Sequence, residues 1–300
     1  MREALRRREL VAALDVLGTA GIRPILLKGT PLAYTVYEEP SLRPRSDTDV
    51  LIRRDEREAV RTLLRSAGYT VTNLSDGEFL FHQFELAKED ALGFTHALDV
   101  HWKISAESIF ADVLGYEELA AESRPVPALG PHARGAGPVH GLLLACIHPA
   151  MHHRNWERLI WLYDIHLLAS RLAPAELDCF AALAVERRVA AICARELALT
   201  RSRLGTQLSD RTLAALAASE EPSAAYLERG RRWSDELQSN LRGLPRWRDR
   251  LKLLREVAFP APGYMLRAYR LDGMAAGALL PALYVHRGLT GLWKVLLGRK

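Results

Sequence analysis

Apolar residues recur at helical spacing from Glu3 to Thr19, and Gly21 follows as a stop. The period then shortens. Ile22–Leu27 is an apolar run of strand length, Leu32–Tyr37 reads as a short helix ended by Pro40, and Asp49–Ile52 is again strand-like. Asp55 can cap a helix running through Leu64, closed by Gly68. Phe79–Leu86, rich in aromatics, and Thr95–Ile104 are joined across the polar link Lys88-Glu89-Asp90 and should pair as antiparallel neighbours. Residues 124–139 carry Pro125, Pro127, Gly130, Pro131, Gly135, Gly137 and Pro138, the composition of a linker. From His140 to about Ser202 nearly every stretch fits an amphipathic helix, and Leu142–Ile147, apolar on all sides, predicts a central buried one. Pro222, Pro245, Pro260, Pro262 and Pro281 divide the remainder into shorter helices. The pattern predicts an α+β protein: an α/β unit over 1–123, a Pro/Gly-rich linker over 124–139 and a mainly helical domain over 140–300.

Composition adds bounds. With 300 residues, 49% of them apolar, and no uncharged run of membrane-spanning length, the chain has core enough for one large or two modest domains and no membrane span. Met1–Arg8 holds four Arg, but Glu9 and Asp15 interrupt any apolar stretch after it, so a cytoplasmic address is expected. Cys146, Cys179 and Cys193 fit no zinc or redox spacing and read as reduced packing residues. The net charge of +5 is uneven: residues 225–300 have 15 Lys/Arg against 6 Asp/Glu, while the rest has 26 against 30. That basic quarter suits either a polyphosphate, nucleic-acid or acidic-partner surface, or a solvated helical face on which Arg246, Arg248, Arg250, Lys252 and Arg255 alternate with Leu251, Leu253 and Leu254. The segment Leu279–Lys300 sets Leu, Tyr and Trp opposite Arg287, Lys294, Arg299 and Lys300, a pattern for docking on its own domain or for touching a membrane surface.

The chemistry concentrates around Arg45-Ser46-Asp47-Thr48-Asp49-Val50-Leu51-Ile52. Strand residues two apart share a face with Cα atoms roughly 6.5 Å apart, so Asp47 and Asp49 aim at one spot. Alone the pair means little, because 14 Asp in 300 residues give such a spacing roughly 0.65 times per chain by chance. Its neighbours carry the weight. Upstream, Leu27-Lys28-Gly29-Thr30 interrupts a strand where a helix can begin, and glycine beside free N–H groups at a helix start makes a phosphate cradle, though an ordinary capped turn has the same residues. Downstream, Leu98-Asp99-Val100 can deliver a third carboxylate from a second strand. Three hard oxygen ligands suit Mg²⁺ or Mn²⁺, and two such ions about 3.5–4 Å apart clamp the attacking and leaving oxygens of a phosphoryl displacement.

In this order, Leu-Lys-Gly-Thr, then Asp-Thr-Asp-Val-Leu-Ile, then Leu-Asp-Val-His-Trp, the chain resembles nucleotidyltransferases of the DNA polymerase β type. The likeness is greatest to their uncharacterised bacterial branch and covers roughly residues 20–105. The resemblance implies a small mixed sheet flanked by helices, a divalent-metal site and a nucleoside triphosphate such as ATP as donor. By position, Gly29 and Thr30 match the phosphate loop, Asp47 and Asp49 the metal carboxylates, and Asp99 the third carboxylate and proton acceptor. Lys28 departs from the usual loop. Lys28, Arg43 and Arg45 stand where they can neutralise a triphosphate or form surface salt bridges. The expected reaction moves a nucleoside monophosphate to a hydroxyl or similar group on a small molecule, peptide or protein. The alternatives are a tRNA- or RNA-modifying transferase, gripping through the basic quarter, and a catalytically silent nucleotide-binding module.

His148, His152 and His153 form a further cluster. His at i and i+4 share a helix face and, with Asp164 or His166, can bind zinc; equally they can line a polar cleft. Because ligand sites favour domain interfaces, His101, His148, His152 and Asp164 become contacts for base, sugar or acceptor. Trp156 and Trp161 read as core, with base stacking as the other use.

Overall fold

The structure, a computed structural model, describes residues 1–74, 82–153, 156–217, 221–227, 233–271 and 274–296. Helix α1 (Arg2–Thr19) leads to strand β1 (Ile25–Leu27), α2 (Gly29–Thr35), β2 (Asp47–Leu51), α3 (Arg57–Ser66) and β3 (Thr70–Leu74). A hairpin of β4 (Gln83–Glu89) and β5 (Thr95–His101) precedes α4 (Ser108–Ala111), α5 (Tyr116–Ala121) and the two-residue strands β6 (Arg124–Pro125) and β7 (Arg134–Gly135). Helices α6 (Pro138–His153), α7 (Leu159–Ala169), α8 (Pro174–Glu186), α9 (Ala190–Leu204) and α10 (Asp210–Ala217) follow. The chain continues through α11 (Trp233–Gly243), α12 (Trp247–Ala258), α13 (Pro262–Ala268) and α14 (Leu280–Leu296).

The strands form one mixed sheet of order β3-β4-β5-β2-β1-β7-β6. β2 and β5 run parallel while β1 lies antiparallel to β2. Alternation assigns the faces. Leu26, Val50, Ile52, Leu98 and Val100 pack with Leu10, Leu14 and Leu17 of α1 and Val60 and Leu64 of α3. Ile25, Leu27 and Leu51, on the other face, merge with Leu142, Leu143 and Ile147 of α6 and Phe180 of α8 in a second core. Asp47 and Asp49 share the face of Leu51, so the period of β2 turns both carboxylates toward the helical half.

Two local outcomes differ from the sequence pattern. The helix expected from Leu32 begins at Gly29, so the loop predicted to precede it is its first turn. Residues 124–139 are built into the sheet: β7 pairs in parallel with β1, and Val126, Leu129 and Ala133 are buried. Pro125 fits there because β6 is the edge strand, where a missing donor is tolerated. At Gly135 a Cβ would come within 2.8 Å of Pro31 Cβ, so only glycine lets α2 lie this close.

The hairpin of β4 and β5 is antiparallel as expected, though residues 79–81 of the aromatic run lie outside the described residues. Leu142, Leu143, Cys146 and Ile147 are fully buried in α6. On α12 only Leu253 is buried, whereas the Arg-rich face, Leu251 and Leu254 are exposed. α14 touches its own domain where the Tyr284 hydroxyl donates to Pro260 O; residues 297–300 and the side chains of 292–296 lie outside the described residues. Among the described residues no helix is long and apolar enough to cross a membrane.

Candidate active site

The site starts at a backbone irregularity. Lys28, the residue before α2, has φ 56° and ψ −135°, a left-handed conformation that a side chain other than glycine's makes costly by about 1–3 kcal/mol. The turn brings Lys28 Nζ to 2.5 Å from Asp49 Oδ1. His101 Nε2 lies 2.9 Å from the same oxygen. Burial pushes the Asp49 carboxyl up, but Lys28 and His101 outweigh it and hold the group well below the usual carboxylate range. Burial lowers His101 against the pull of Asp49.

Parallel pairing sets Asp49 directly beside Asp99. Burial, then repulsion from Asp49, Asp47 and Glu85, raises Asp99 to about 7. Two carboxylates on neighbouring strands repel, and a cation between them removes that cost. One ligand atom from each of Asp49, Asp99 and His101 lies within 4.8 Å of the others, which fits a divalent ion with two oxygen donors and one imidazole. Asp47, paired opposite Ala97, shares the face but stands outside this trio. His101 follows Asp99 at i+2, so the strand period that joins Asp47 to Asp49 also joins this pair.

The phosphate-loop residues are placed less directly. Thr30 is buried, its Oγ1 3.3 Å from that of Thr48. At Gly29 a Cβ would sit 2.9 Å from Arg43 Cζ, so glycine lets the guanidinium lie against the loop. Arg43 in turn donates from Nε and Nη2 to Asp164 of α7 at 2.8 and 2.7 Å, and from Nη1 to Pro44 O at 2.8 Å. The Tyr37 hydroxyl donates to the same carboxylate at 2.7 Å. Arg45 pairs with Glu3 at 2.7 Å and lies over the Tyr34 ring. Of the three expected triphosphate cations, Lys28 is the one at the carboxylates; Arg43 and Arg45 are held by protein acids. Tyr37 left no signal in the sequence.

Helix α6 carries the histidine cluster toward this site. His148 and His152 have ring centroids 5.5 Å apart, and His153 stacks on Trp161 at 4.3 Å. Burial, then the Lys28 ammonium, lowers all three, His152 to about 3, so the rings stay neutral at physiological pH. His148 Nδ1 and His152 Nε2 are shielded and without a hydrogen-bond partner. The suggested zinc ligands are engaged elsewhere, Asp164 by Arg43 and His166 by Thr206 at 2.8 Å. Among the described residues Asp49, Asp99 and His101 are the grouping tight enough for a metal. Trp161 is buried, whereas Trp156 is 72% exposed and is not a core residue, because it sits in the connection between α6 and α7.

A Lys-Gly turn at a helix start, facing paired strand carboxylates that can hold a divalent ion, is the constellation of a phosphate-handling transferase. Residues 1–205 match the family described as uncharacterised nucleotidyltransferase, and the chain belongs to that family. It is an enzyme of the nucleotidyltransferase class.

Solved structures resemble it at low identity. An antigenic nucleotidyltransferase-like protein from Paracoccidioides brasiliensis is 13% identical, with TM-score 0.43, over 73% of this chain and 95% of the other. JHP933 from Helicobacter pylori is 15% identical, with TM-score 0.38, over 80% and 96%. A putative nucleotidyltransferase from H. pylori is 14% identical, with TM-score 0.38, over 76% and 95%. No curated protein matches the sequence.

Proposed function

We propose that this enzyme transfers a nucleoside monophosphate from an NTP to a hydroxyl-bearing acceptor, with a divalent cation at Asp49, Asp99 and His101 and with Asp47 beside them. The observation that carries the reading is the register of β2 and β5, which sets Asp49 against Asp99 beside the Lys28-Gly29 turn. Mg²⁺ or Mn²⁺ bound there would neutralise phosphate charge and polarise the oxygens of the reacting group.

The acceptor oxygen forms a bond to the α-phosphorus. The bond from that phosphorus to the bridging oxygen of the β-phosphate breaks, and its electron pair leaves with pyrophosphate. The hydroxyl proton passes to Asp99. Lys28 exchanges Asp49 for the phosphates, and backbone N–H groups at Gly29 and Thr30, at the positive end of α2, hold the leaving group. His148 and His152, uncharged, contact neutral groups of the acceptor or the sugar.

The test is pyrophosphate release from each of the four NTPs with Mg²⁺ or Mn²⁺, comparing the parent with Asp49→Asn. Release that is equal in both would refute the assignment. A second reading, transfer to RNA, is favoured by the exposed Arg246, just before α12, and Arg248, Arg250, Lys252 and Arg255 within it. RNA affinity falling steeply with salt would support it, since each neutralised phosphate adds to the slope.

A further inference from the structure

Between α2, α6 and α7 lies a cavity of about 300 Å³ that begins at Lys28 and Gly29. We propose that it is the acceptor subsite, and that it takes a small molecule with one hydroxyl on an apolar body; this rests on the transfer reading above. That volume is at the lower end for small-molecule sites. Leu32, Val36, Leu144 and Leu168 make apolar walls.

Three of the charged groups along those walls, which also include Lys28, Arg124 and Glu176, are committed. Arg43 and Asp164 hold each other, and Arg171 donates to the carbonyls of Thr35 and Val36 that end α2. None is free to read the edge of a nucleobase. His148, whose Nδ1 is shielded and unpartnered, lines the same cavity as Lys28, and a small turn of its ring would let that nitrogen engage one hydroxyl.

Gly141 gives an independent sign. It lies in the first turn of α6 without a left-handed φ, and a Cβ there would meet nothing closer than Leu168 Cδ2 at 3.8 Å and Ala136 O at 4.0 Å. The fold does not require glycine, and helices disfavour it relative to alanine. Its missing side chain leaves the cavity open.

The test is binding of 4-phenyl-1-butanol, followed by saturation-transfer NMR and thermal shift, which needs no turnover. The alcohol is expected to bind the parent, and n-butylbenzene, the same apolar body without the hydroxyl, about fivefold more weakly, the loss of one hydrogen bond. Gly141→Phe should abolish alcohol binding yet keep affinity for Mn²⁺-ATP within about twofold, and His148→Leu should weaken the alcohol about fivefold, the loss of one hydrogen bond. Ala145→Leu, which also narrows the cavity, stands in should Gly141→Phe not fold. No binding of the alcohol to the parent, or loss of Mn²⁺-ATP binding on filling the cavity, overturns the proposal, the latter marking a nucleobase pocket. A parent that binds the alcohol but no NTP overturns the transfer reading itself.

Discussion

Arg43 decides between two views of the site, and a double-mutant cycle with Asp164 separates them. The Arg43 and Asp164 side chains are 10% and 6% exposed and meet at 2.7 Å, with further hydrogen bonds at 2.8 Å from Nε and 2.7 Å from Tyr37. Removing one partner of a buried pair leaves an uncompensated charge and costs about 3–5 kcal/mol, whereas an apolar pair of similar volume is often neutral. Arg43→Met and Asp164→Leu should therefore each lower Tm by roughly 10 °C, at about 2–4 °C per kcal/mol for a chain of this order of size. The double variant should recover most of that loss, so the coupling energy, the two single costs less the small cost of the double, comes to about 5–8 kcal/mol. Because the guanidinium lies against Gly29, each single variant should also weaken Mn²⁺-ATP binding, and the double variant should restore part of it. The assay is thermal and urea unfolding followed by circular dichroism, with nucleotide titration alongside. Additive losses would refute the buried pair. So would an Arg43→Met protein of unchanged Tm that no longer binds nucleotide, which would return Arg43 to the triphosphate.

Other expectations follow from the same geometry. In Asp49→Asn the metal-dependent rise in Tm should vanish, because bound cation stabilises only by mass action and the central ligand is gone; a shift equal to the parent's would place the metal elsewhere. Asp99→Asn should fold normally and bind nucleotide within about tenfold, while turnover falls about 10²–10⁴-fold with the loss of the proton acceptor, as pyrophosphate release would read. Limited proteolysis should spare residues 124–139 despite their Pro/Gly content, since β7 is hydrogen-bonded to β1 and Val126, Leu129 and Ala133 are buried. Early cleavage inside that strip would show that the pairing does not hold in solution.

Local pattern determined much of this protein. Strand period places Asp47 with Asp49 and Asp99 with His101, and the apolar run Leu142–Ile147 sits at the centre of a core, because side-chain direction and burial repeat with the backbone. What periodicity could not supply is register and partnership between distant segments. The parallel alignment that sets Asp49 against Asp99 joins residues 50 apart, and nothing in either strand encodes which pairs meet. Arg43 beside a carboxylate motif reads as a phosphate ligand until α7, more than a hundred residues later, brings Asp164 and claims it. The strip at 124–139 has a linker's composition, yet an open edge at β1 recruits it as sheet. In each case the sequence determined which chemistry a residue can offer, and the tertiary structure decided which neighbour uses it, since a buried charge or an unpaired strand edge is costly until some distant group satisfies it.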